Sequence, residues 1–236
     1  MPLQFTDEQR AVINHTLPGH ARVFAGPGTG KSATAVGLAE QLSSNEENQP
    51  RLKFLTFTRA ATLELAKRLP IHGKIKPATV HSFSIATLLR NPGCAPFSQP
   101  LRIADRYEYE EPVRPHLARR SGVNVSRLDD LVREMAAKWE SLNPLELPEV
   151  TADERARFMG AYIEHRHTFG YTLLNELHDL LRGALRDHAD LDGVKFDLLI
   201  VDEYQDLNAC ELELLKRLGE RGASILAIGD DDHRKP

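Results

Sequence analysis

Gly-Pro-Gly-Thr-Gly-Lys-Ser, at residues 26–32, decides the fold of this 236-residue chain. With Ala25 in front, it follows the phosphate-binding pattern G-x-x-x-x-G-K-[ST], with alanine in the first position. An apolar run leads in and a helix-compatible segment, Ala33–Leu42, leads out, which is the strand–loop–helix context that the pattern requires. The backbone N–H groups of such a loop point at a bound anion. We therefore predict a phosphate loop formed by Gly26, Pro27, Gly28, Thr29, Gly30, Lys31 and Ser32, with Lys31 reaching the β- and γ-phosphates and Ser32 ligating Mg²⁺.

A second stretch, Asp202-Glu203-Tyr204-Gln205-Asp206, follows the apolar run Phe196–Val201. That run predicts a buried parallel strand, and an acid pair at the carboxyl end of such a strand lies where open α/β sheets bind ligands. Taken alone, the two motifs could be a glycine-rich turn and a solvated strand end. Because both occur in the expected context in one chain, they favour one nucleotide–Mg²⁺ site.

The composition excludes several classes of protein. It is 41% hydrophobic and 27% charged, which is ordinary for a globular protein, and the net charge of −4 restricts any nucleic-acid surface to a local groove. The two cysteines, Cys94 and Cys210, lack metal-type spacing and indicate reduced thiols. No membrane-length apolar run or signal pattern occurs. We expect a cytoplasmic protein without a membrane segment.

The order of predicted elements indicates an α/β domain with an insertion. Strands and helices alternate up to about residue 91, which predicts a parallel sheet covered by helices. From Pro92 to Val194 only helical segments recur, with start signals at Ser126, Thr151 and Thr172. The strand pattern resumes at Phe196. We predict an α/β domain at 1–91 and 195–236, and a mainly α-helical inserted subdomain at 92–194. The predicted elements are a helix from Phe5 to His15, strands at Arg22–Ala25, Leu52–Thr58, Ala78–Val80, Phe196–Val201 and Ser224–Ile228, and helices at Ala33–Leu42, Arg59–Leu69, His81–Arg90, Arg127–Leu142, Arg155–Arg166, Leu173–His188 and Cys210–Leu218.

An ordered series of motifs resembles the first half of a superfamily 1 DNA helicase of the UvrD/Rep family. The resemblance covers residues 1–90 and 171–232, and the middle matches only in length and helical character, as the family's inserted 1B subdomain would. The matching motifs, in family order, are the Q motif at Phe5–Gln9, Walker A at Ala25–Ser32, TFTNKAA at Thr56–Ala61 (with Arg59 and Ala60 departing), TFHSF at Thr79–Phe83, the Walker B signature VDEYQDLN at Val201–Asn208, and the start of GDDDQ at Gly229–Asp232.

The resemblance implies a RecA-like P-loop NTPase domain in an ATP-dependent DNA helicase or translocase that moves 3′ to 5′ on single-stranded DNA and meets a duplex junction. It assigns Asp202 to Mg²⁺, Glu203 to the attacking water, and Gln205 to sensing the γ-phosphate. It assigns Gln9 to the adenine edge, although Thr6 and Gln9 also form a capping box that gives Gln9 a structural role. For Gln205 the alternative is a plain polar residue after a strand.

For DNA, the resemblance points to Phe57, Thr79 and His81 at the mouth of the groove. An aromatic side chain there can stack on a base. The alternatives are that Phe57 belongs to the core near a strand end and that His81 is an ordinary residue at a helix start.

Several other side chains have no predicted functional role. His165 and His167 lack partners at metal-ligand spacing and are interpreted as surface residues. Trp139 is expected to pack in the core of the insertion. The mixed charges of Arg102–Arg133 are interpreted as a solvated face because acids interleave the bases.

The sequence also departs from the family's pattern. His233 stands where the family has glutamine, and Arg234-Lys235-Pro236 lacks the aromatic residue expected next. We expect a truncated chain that lacks a second RecA-like domain, whose arginine finger contributes roughly 10³–10⁵ in rate in related hydrolases. Alone, the chain should bind ATP but hydrolyse it slowly. The alternatives are a nucleotide-binding regulatory module without motor activity and, less favoured by the Walker B sequence, a P-loop kinase.

Overall fold

A computed structural model describes residues 4–14, 19–26, 28–44, 49–69, 75–96 and 100–230. The chain divides into two compact units. The first unit is made of Met1–Phe83, Gly193–Leu207 and Leu215–Pro236, and the second of Ser84–Asp192 and Asn208–Leu214. Among the described helices, none is long and apolar enough to cross a membrane.

The elements alternate at both ends of the chain and are helical in between. The strands are β1 (Ala21–Phe24), β2 (Leu52–Thr56), β3 (Ala78–Thr79), β4 (Leu198–Asp202) and β5 (Ser224–Gly229). The helices are α1 (Asp7–Ile13), α2 (Lys31–Ser43), α3 (Arg59–Arg68), α4 (Val80–Arg90), α5 (Arg106–Glu108), α6 (Arg114–Ser121), α7 (Val125–Ser141), α8 (Ala152–Phe169), α9 (Leu177–Asp187) and α10 (Ala209–Glu220). A π-helical segment, Tyr109–Val113, joins α5 to α6, and 3₁₀ turns cover Leu174–Glu176 and Tyr204–Asp206.

The predicted parallel sheet is confirmed. Its five strands pair in the order β1-β5-β4-β2-β3, and every pairing is parallel. All the carboxyl ends therefore meet at one edge, which brings the phosphate loop after β1 beside the acids after β4. Strand β4 lies between two neighbours, and Leu198–Val201 are fully buried, as expected for a continuous apolar strand.

Local hydrogen bonds set element boundaries that apolar periodicity placed a few residues away. The strand predicted at Leu52–Thr58 ends at Thr56, because the hydroxyl of Thr58 accepts from the N–H of Ala61 and starts α3. The strand predicted to include Val80 ends at Thr79, whose hydroxyl accepts from the N–H of Ser82. The helix predicted from Phe5 to His15 spans Asp7–Ile13, with Thr6 and Asn14 as its caps, and His15 lies outside the described residues.

The core of the first unit packs helices against one face of the sheet. Leu38 and Ala39 of α2 are fully buried, and Leu65 of α3 joins them. Phe54 of β2 and Leu226 of β5 lie in the same cluster. Burying such side chains contributes roughly 1.5–3 kcal/mol each, which holds the strands in register and fixes the edge where the loops meet.

The second unit has its own helical core, centred on α6, α7 and α8. The capping box of Thr151 and Glu154 is confirmed at the start of α8. The cap predicted at Ser126 is wrong, because the side chain of Asn124 accepts from the N–H of Arg127 and α7 starts two residues earlier. The cap predicted at Thr172 is also wrong, since α9 starts after a 3₁₀ turn without a side-chain cap.

His165 corrects a prediction, because it is buried rather than a surface residue. Only 3% of it is exposed, and its Nε2 lies 3.0 Å from Nδ1 of His116 while its Nδ1 lies 3.1 Å from the hydroxyl of the fully buried Tyr171. Metal-ligand spacing could not reveal this arrangement, since His116 lies 49 residues before His165, on another helix. His167, on the same helix, is exposed as predicted.

This buried histidine predicts a loss of stability in acid. Burial first, then the charges of His116 and Arg120, lower the pKa of His165 below its ordinary value. The unfolded chain therefore binds a proton at about pH 6.5 that the folded chain resists. The contribution of neutral His165 to the free energy of unfolding should be fully present above that pH. It should fall as the pH drops through 6.5 towards the pKa of His165 in the folded chain. Chemical denaturation from pH 7.5 to about 5.5 measures the fall, which His165→Asn should reduce and His167→Asn should leave unchanged. An equal slope in the His165→Asn variant would contradict the assignment.

Candidate functional site

The loop between β1 and α2 has the geometry of an anion cradle. Gly28 and Gly30 have positive φ values of 76° and 82°, which glycine adopts without strain. Thr29 closes the loop through its hydroxyl, which donates to the carbonyl of Gly26 at 2.8 Å. Helix α2 begins at Lys31 without a side-chain cap, so its first N–H groups remain available to an anion.

Lys31 is linked to the second motif by a chain of hydrogen bonds. Its Nζ lies 3.1 Å from Oε2 of Glu203, and the Lys31 side chain is only 11% exposed. The amide of Gln205 donates to the same carboxylate oxygen at 2.7 Å, and its oxygen accepts from the N–H of Asp230 at 3.0 Å. The chain thus connects α2, the turn after β4 and the end of β5. Glu203 has φ 53°, an unfavourable conformation that tends to occur at functional sites.

Asp202 and Ser32 have the chemistry expected of cation ligands. Burial first, then the charge of Glu203, raise the pKa of Asp202, with Lys31 acting in the opposite direction. A nearby positive charge stabilises the ionised form of such a carboxylate. Within the described part of the chain, the hydroxyl of Ser32 makes no hydrogen bond. Oxygen ligands of this kind fit Mg²⁺.

A cavity of about 700 Å³ lies over the phosphate loop, and it is lined by residues of both motifs. It also contains Glu64 and Arg68 of α3, which pair with each other and which the sequence interpretation missed. Their spacing of four on a helix is that of an ordinary surface ion pair, so it carries no signal of a site. Their position in the cavity makes Arg68 a candidate ligand for phosphate oxygens.

Gln9 has a structural role in this structure. Its side-chain oxygen accepts from the N–H of Thr6, completing the predicted capping box. Its amide nitrogen donates to the carbonyl of Thr29 at 2.9 Å, so Gln9 ties α1 to the phosphate loop. A second cavity, of about 530 Å³, is lined by Gln9 together with Phe24 and residues of the loop. To bind the side-chain amide of Gln9, an adenine base would have to replace one of these hydrogen bonds.

The candidate DNA residues lie at the carboxyl ends of two paired strands. Thr56 pairs with Thr79, so Phe57 and His81 follow neighbouring strand ends. Phe57 is 47% exposed, which disagrees with the alternative that it belongs to the core. Thr79 caps the next helix. His81 is half-buried at the start of α4, and burial lowers its pKa.

Gly229 fits against the second motif with no room for a side chain. A Cβ atom there would lie 2.5 Å from a ring carbon of Tyr204 and closer still to the amide oxygen of Gln205. Gly229→Ala should therefore displace both side chains and cost about 1–3 kcal/mol. Thermal unfolding should show a Tm lowered by several degrees. Gly160→Ala is the control, because its Cβ meets nothing within 4 Å, and an equal Tm for both variants would contradict the prediction.

Part of the predicted site lies outside the described residues. Pro27 of the loop belongs to this part, as do Asp231–Pro236 with His233. The remaining predicted nucleotide residues come together at one edge of the sheet, and Asp202 lies directly after Val201 at the end of β4.

Comparison with known proteins agrees with these features. Residues 5–233 match the family described as UvrD/REP helicase N-terminal domain. The chain is similar to an ATP-dependent DNA helicase Rep of Buchnera aphidicola subsp. Schizaphis graminum, with 24% identity over 92% of this chain and 35% of that protein. It is also similar to an ATP-dependent DNA helicase PcrA of Bacillus subtilis, with 24% identity over 95% of this chain and 32% of that protein. The chain thus spans about a third of the length of these relatives.

Proposed function

The chain belongs to the UvrD/REP helicase N-terminal domain family, and on that premise we propose that it is an ATP-binding motor domain of a DNA helicase or translocase. Its reaction is hydrolysis of ATP coupled to movement on single-stranded DNA, with 3′ to 5′ polarity. The observation that carries the proposal is the chain of hydrogen bonds from Lys31 through Glu203 and Gln205 to Asp230. It joins the phosphate loop to the ends of two neighbouring strands.

Phosphate binding is assigned to the loop and its lysine. The N–H groups at the start of α2 and the charge of Lys31 attract the triphosphate, and Arg68 adds a second cation from the wall of the cavity. The Nζ of Lys31 pairs with the Glu203 carboxylate at 3.1 Å, so phosphate oxygens would compete with that carboxylate for the same ammonium group. Ser32 and Asp202 would hold Mg²⁺, which when bound neutralises phosphate charge.

Glu203 is assigned the role of general base. Its Oε2 accepts from both Lys31 and Gln205, which leaves its other oxygen, Oε1, to accept a proton from water. Gln205 holds Glu203 through its amide nitrogen and the start of the segment after β5 through its oxygen. A change in the position of Glu203 is thereby transmitted to Asp230, which supports a coupling role for Gln205.

Nucleotide-base recognition is assigned to the cavity of about 530 Å³ that Gln9 and the phosphate loop line. The amide of Gln9 offers a donor and an acceptor to adenine, and binding would exchange its bond to Thr29 for one to the base. Gln9 would then transmit occupancy of the base site to the phosphate loop.

DNA binding is assigned to the edge formed by Phe57, Thr79 and His81. The exposed ring of Phe57 offers a stacking surface. Because this edge belongs to the sheet that carries Asp202 and Gly229, strand ends connect it to the nucleotide cavity. The partner is single-stranded DNA leading from a duplex junction.

The domain assignment follows from the same premise. Residues 1–91 and 195–236 form a RecA-like motor domain, and 92–194 a helical inserted subdomain of the 1B type. A second RecA-like domain would supply the opposite wall of the cleft and its arginine, as the relatives' greater length supports. The cytoplasm is the proposed location, in keeping with the free thiols of Cys94 and Cys210.

The test is thermodynamic coupling between ATP and DNA. Binding of a fluorescent oligothymidylate is measured with and without Mg²⁺ and a non-hydrolysable ATP analogue, and ATP hydrolysis is followed under single-turnover conditions. A change in DNA affinity with nucleotide, together with slow hydrolysis, is expected. Tight ATP binding without coupling or turnover, even with an added second motor domain, would favour the regulatory module instead.

Replacing Phe57 with alanine should weaken DNA binding without unfolding the chain. A stacked base contributes roughly 1–3 kcal/mol, so the affinity should fall by about 5- to 150-fold. Leu63→Ala is the matched control, because Leu63 is a 64% exposed apolar residue of α3 without an assigned DNA role. Equal affinities for the two variants in fluorescence anisotropy would remove Phe57 from the interface.

A further inference from the structure

A cavity of about 460 Å³ lies within the second unit. Helices α7, α8 and α9 and the segment after α7 form its walls, and none of its residues belongs to the nucleotide or DNA sites described above. Its volume falls in the range of small-molecule sites. It therefore offers a binding site that the proposed motor function does not use.

The interior of the cavity is apolar and adaptable. Leu131 and Phe158, each 2% exposed, lie among its lining residues together with Met135 and Trp139. Met159 lines it as well but is 40% exposed, which places apolar surface at an accessible mouth. Methionine side chains adjust to irregular ligands and pack well against aromatic rings.

The segment that borders the cavity is held in place by an ion pair between the half-buried Arg155 and the buried Glu134. Arg155 donates two hydrogen bonds to the Glu134 carboxylate, at 2.7 and 2.8 Å, and a third to the carbonyl of Leu147 at 3.1 Å. The same carboxylate accepts from the N–H of Leu147. Leu142, at the end of α7, has φ 58°, and the hydroxyl of Ser141 accepts from the N–H of Asn143 across this turn. The cavity is thus preformed, which lowers the entropic cost of binding.

Three basic and three acidic side chains line the cavity, and within the described part of the chain one of the bases is without an ion pair. Arg155 is paired with Glu134 and also acted on by the charge of Glu146, and Arg182 is paired with Asp179 at 2.5 Å. Lys138, on the exposed rim, has no carboxylate within ion-pair distance among the described residues. It is thus the lining cation whose charge is left for a ligand.

We propose that this cavity binds a small aromatic carboxylate. Its ring would occupy the apolar space beside Met135, Trp139 and Phe158, and its carboxylate would pair with Lys138 at the rim. The ring accounts for the apolar walls, and the carboxylate accounts for the lysine that lacks a partner.

The composition of the chain allows a site-resolved test. Of its three methionines two line the cavity, and its single tryptophan is Trp139. The full chain, labelled at methionine methyl groups and at the indole N–H, is titrated with phenylbutyrate and followed by NMR. Saturable shifts of Met135, Met159 and Trp139 are expected, with a Kd on the order of 1 mM or tighter, and with the Met1 methyl signal as reference.

Two comparisons separate the carboxylate from the ring. Phenylbutyramide, the neutral analogue, should bind about three- to fivefold more weakly than phenylbutyrate, which is the size of effect an exposed ion pair gives. In the Lys138→Met variant the two compounds should bind equally. Equal binding of both compounds to the unaltered chain would overturn the anion assignment and leave a site for a neutral apolar group.

A second pair of variants tests the location. Leu145→Asp places a charge on a 40% exposed lining residue, and Ile163→Asp places one on a 55% exposed residue of α8 outside the lining. Binding should be lost in the first and kept in the second. Absence of saturable shifts in the unaltered chain, or equal affinity in both variants, would overturn the proposal. Circular dichroism checks folding, and Lys138→Met still decides if Leu145→Asp unfolds.

Discussion

Lys31→Ala is expected to weaken binding of Mg²⁺–ATP by roughly 10- to 150-fold. A hydrogen bond to a charged group contributes about 1.5–3 kcal/mol, and each 1.4 kcal/mol is about tenfold. The substitution also removes the cation that pairs with Glu203 at 3.1 Å. The freed carboxylate would then repel the phosphates, so the loss of ATP affinity should be nearer to 150-fold than to 10-fold. The fold should survive because Glu203 is 38% exposed and can be solvated.

The measurement is titration of the full chain with a fluorescent ATP analogue in the presence of Mg²⁺. Lys76→Ala is the matched control, because Lys76 is an exposed lysine outside the cavity, and it should bind like the unaltered chain. If the Lys31→Ala variant binds within about threefold of that control, the lost binding free energy is smaller than one charged hydrogen bond contributes. Lys31 would then not contact the phosphates.

The parallel sheet could be predicted from the sequence because the signals for its strands are local and several of them agree. Phe196–Val201 is continuously apolar, and such a run can be a strand only if it is buried on both faces, as β4 is. The phosphate loop then predicted which ends of the strands meet. Boundaries were less accurate, since a single hydroxyl such as that of Thr58 ends a strand and starts a helix, and periodicity contains no information on that bond.

Features that depend on residues far apart in sequence were not accessible in the same way. Arg68 lies in the phosphate cavity because α3 follows β2 along the sheet, yet in sequence it is only the partner of Glu64. His165 is buried against His116, which lies 49 residues earlier in the chain, and no spacing rule encodes that contact. Gln9 shows the intermediate case: its capping box was predicted, but its bond to Thr29 depends on how α1 packs.

Glu203→Gln is expected to separate hydrolysis from binding. Loss of a general base lowers the rate by about 10²–10⁴, while glutamine retains the shape and can still accept the hydrogen bond from Gln205. The neutral amide no longer holds Lys31 as an ion pair, so Lys31 becomes available to phosphate. ATP affinity should therefore stay equal or increase as hydrolysis falls, whereas a merely structural role for Glu203 predicts that both decline.

Single-turnover hydrolysis, with the chain in excess over labelled ATP and in the presence of single-stranded DNA, measures the rate even when it is slow. Glu220→Gln is the control, because it makes the same chemical change at an exposed residue at the end of α10. Hydrolysis within tenfold of that control would assign proton transfer to another group. Reduced ATP affinity would instead show that the Lys31–Glu203 pair supports the loop. An unchanged or higher affinity with lost hydrolysis leaves one account: Glu203 holds Lys31 until phosphate takes its place, and then acts on water.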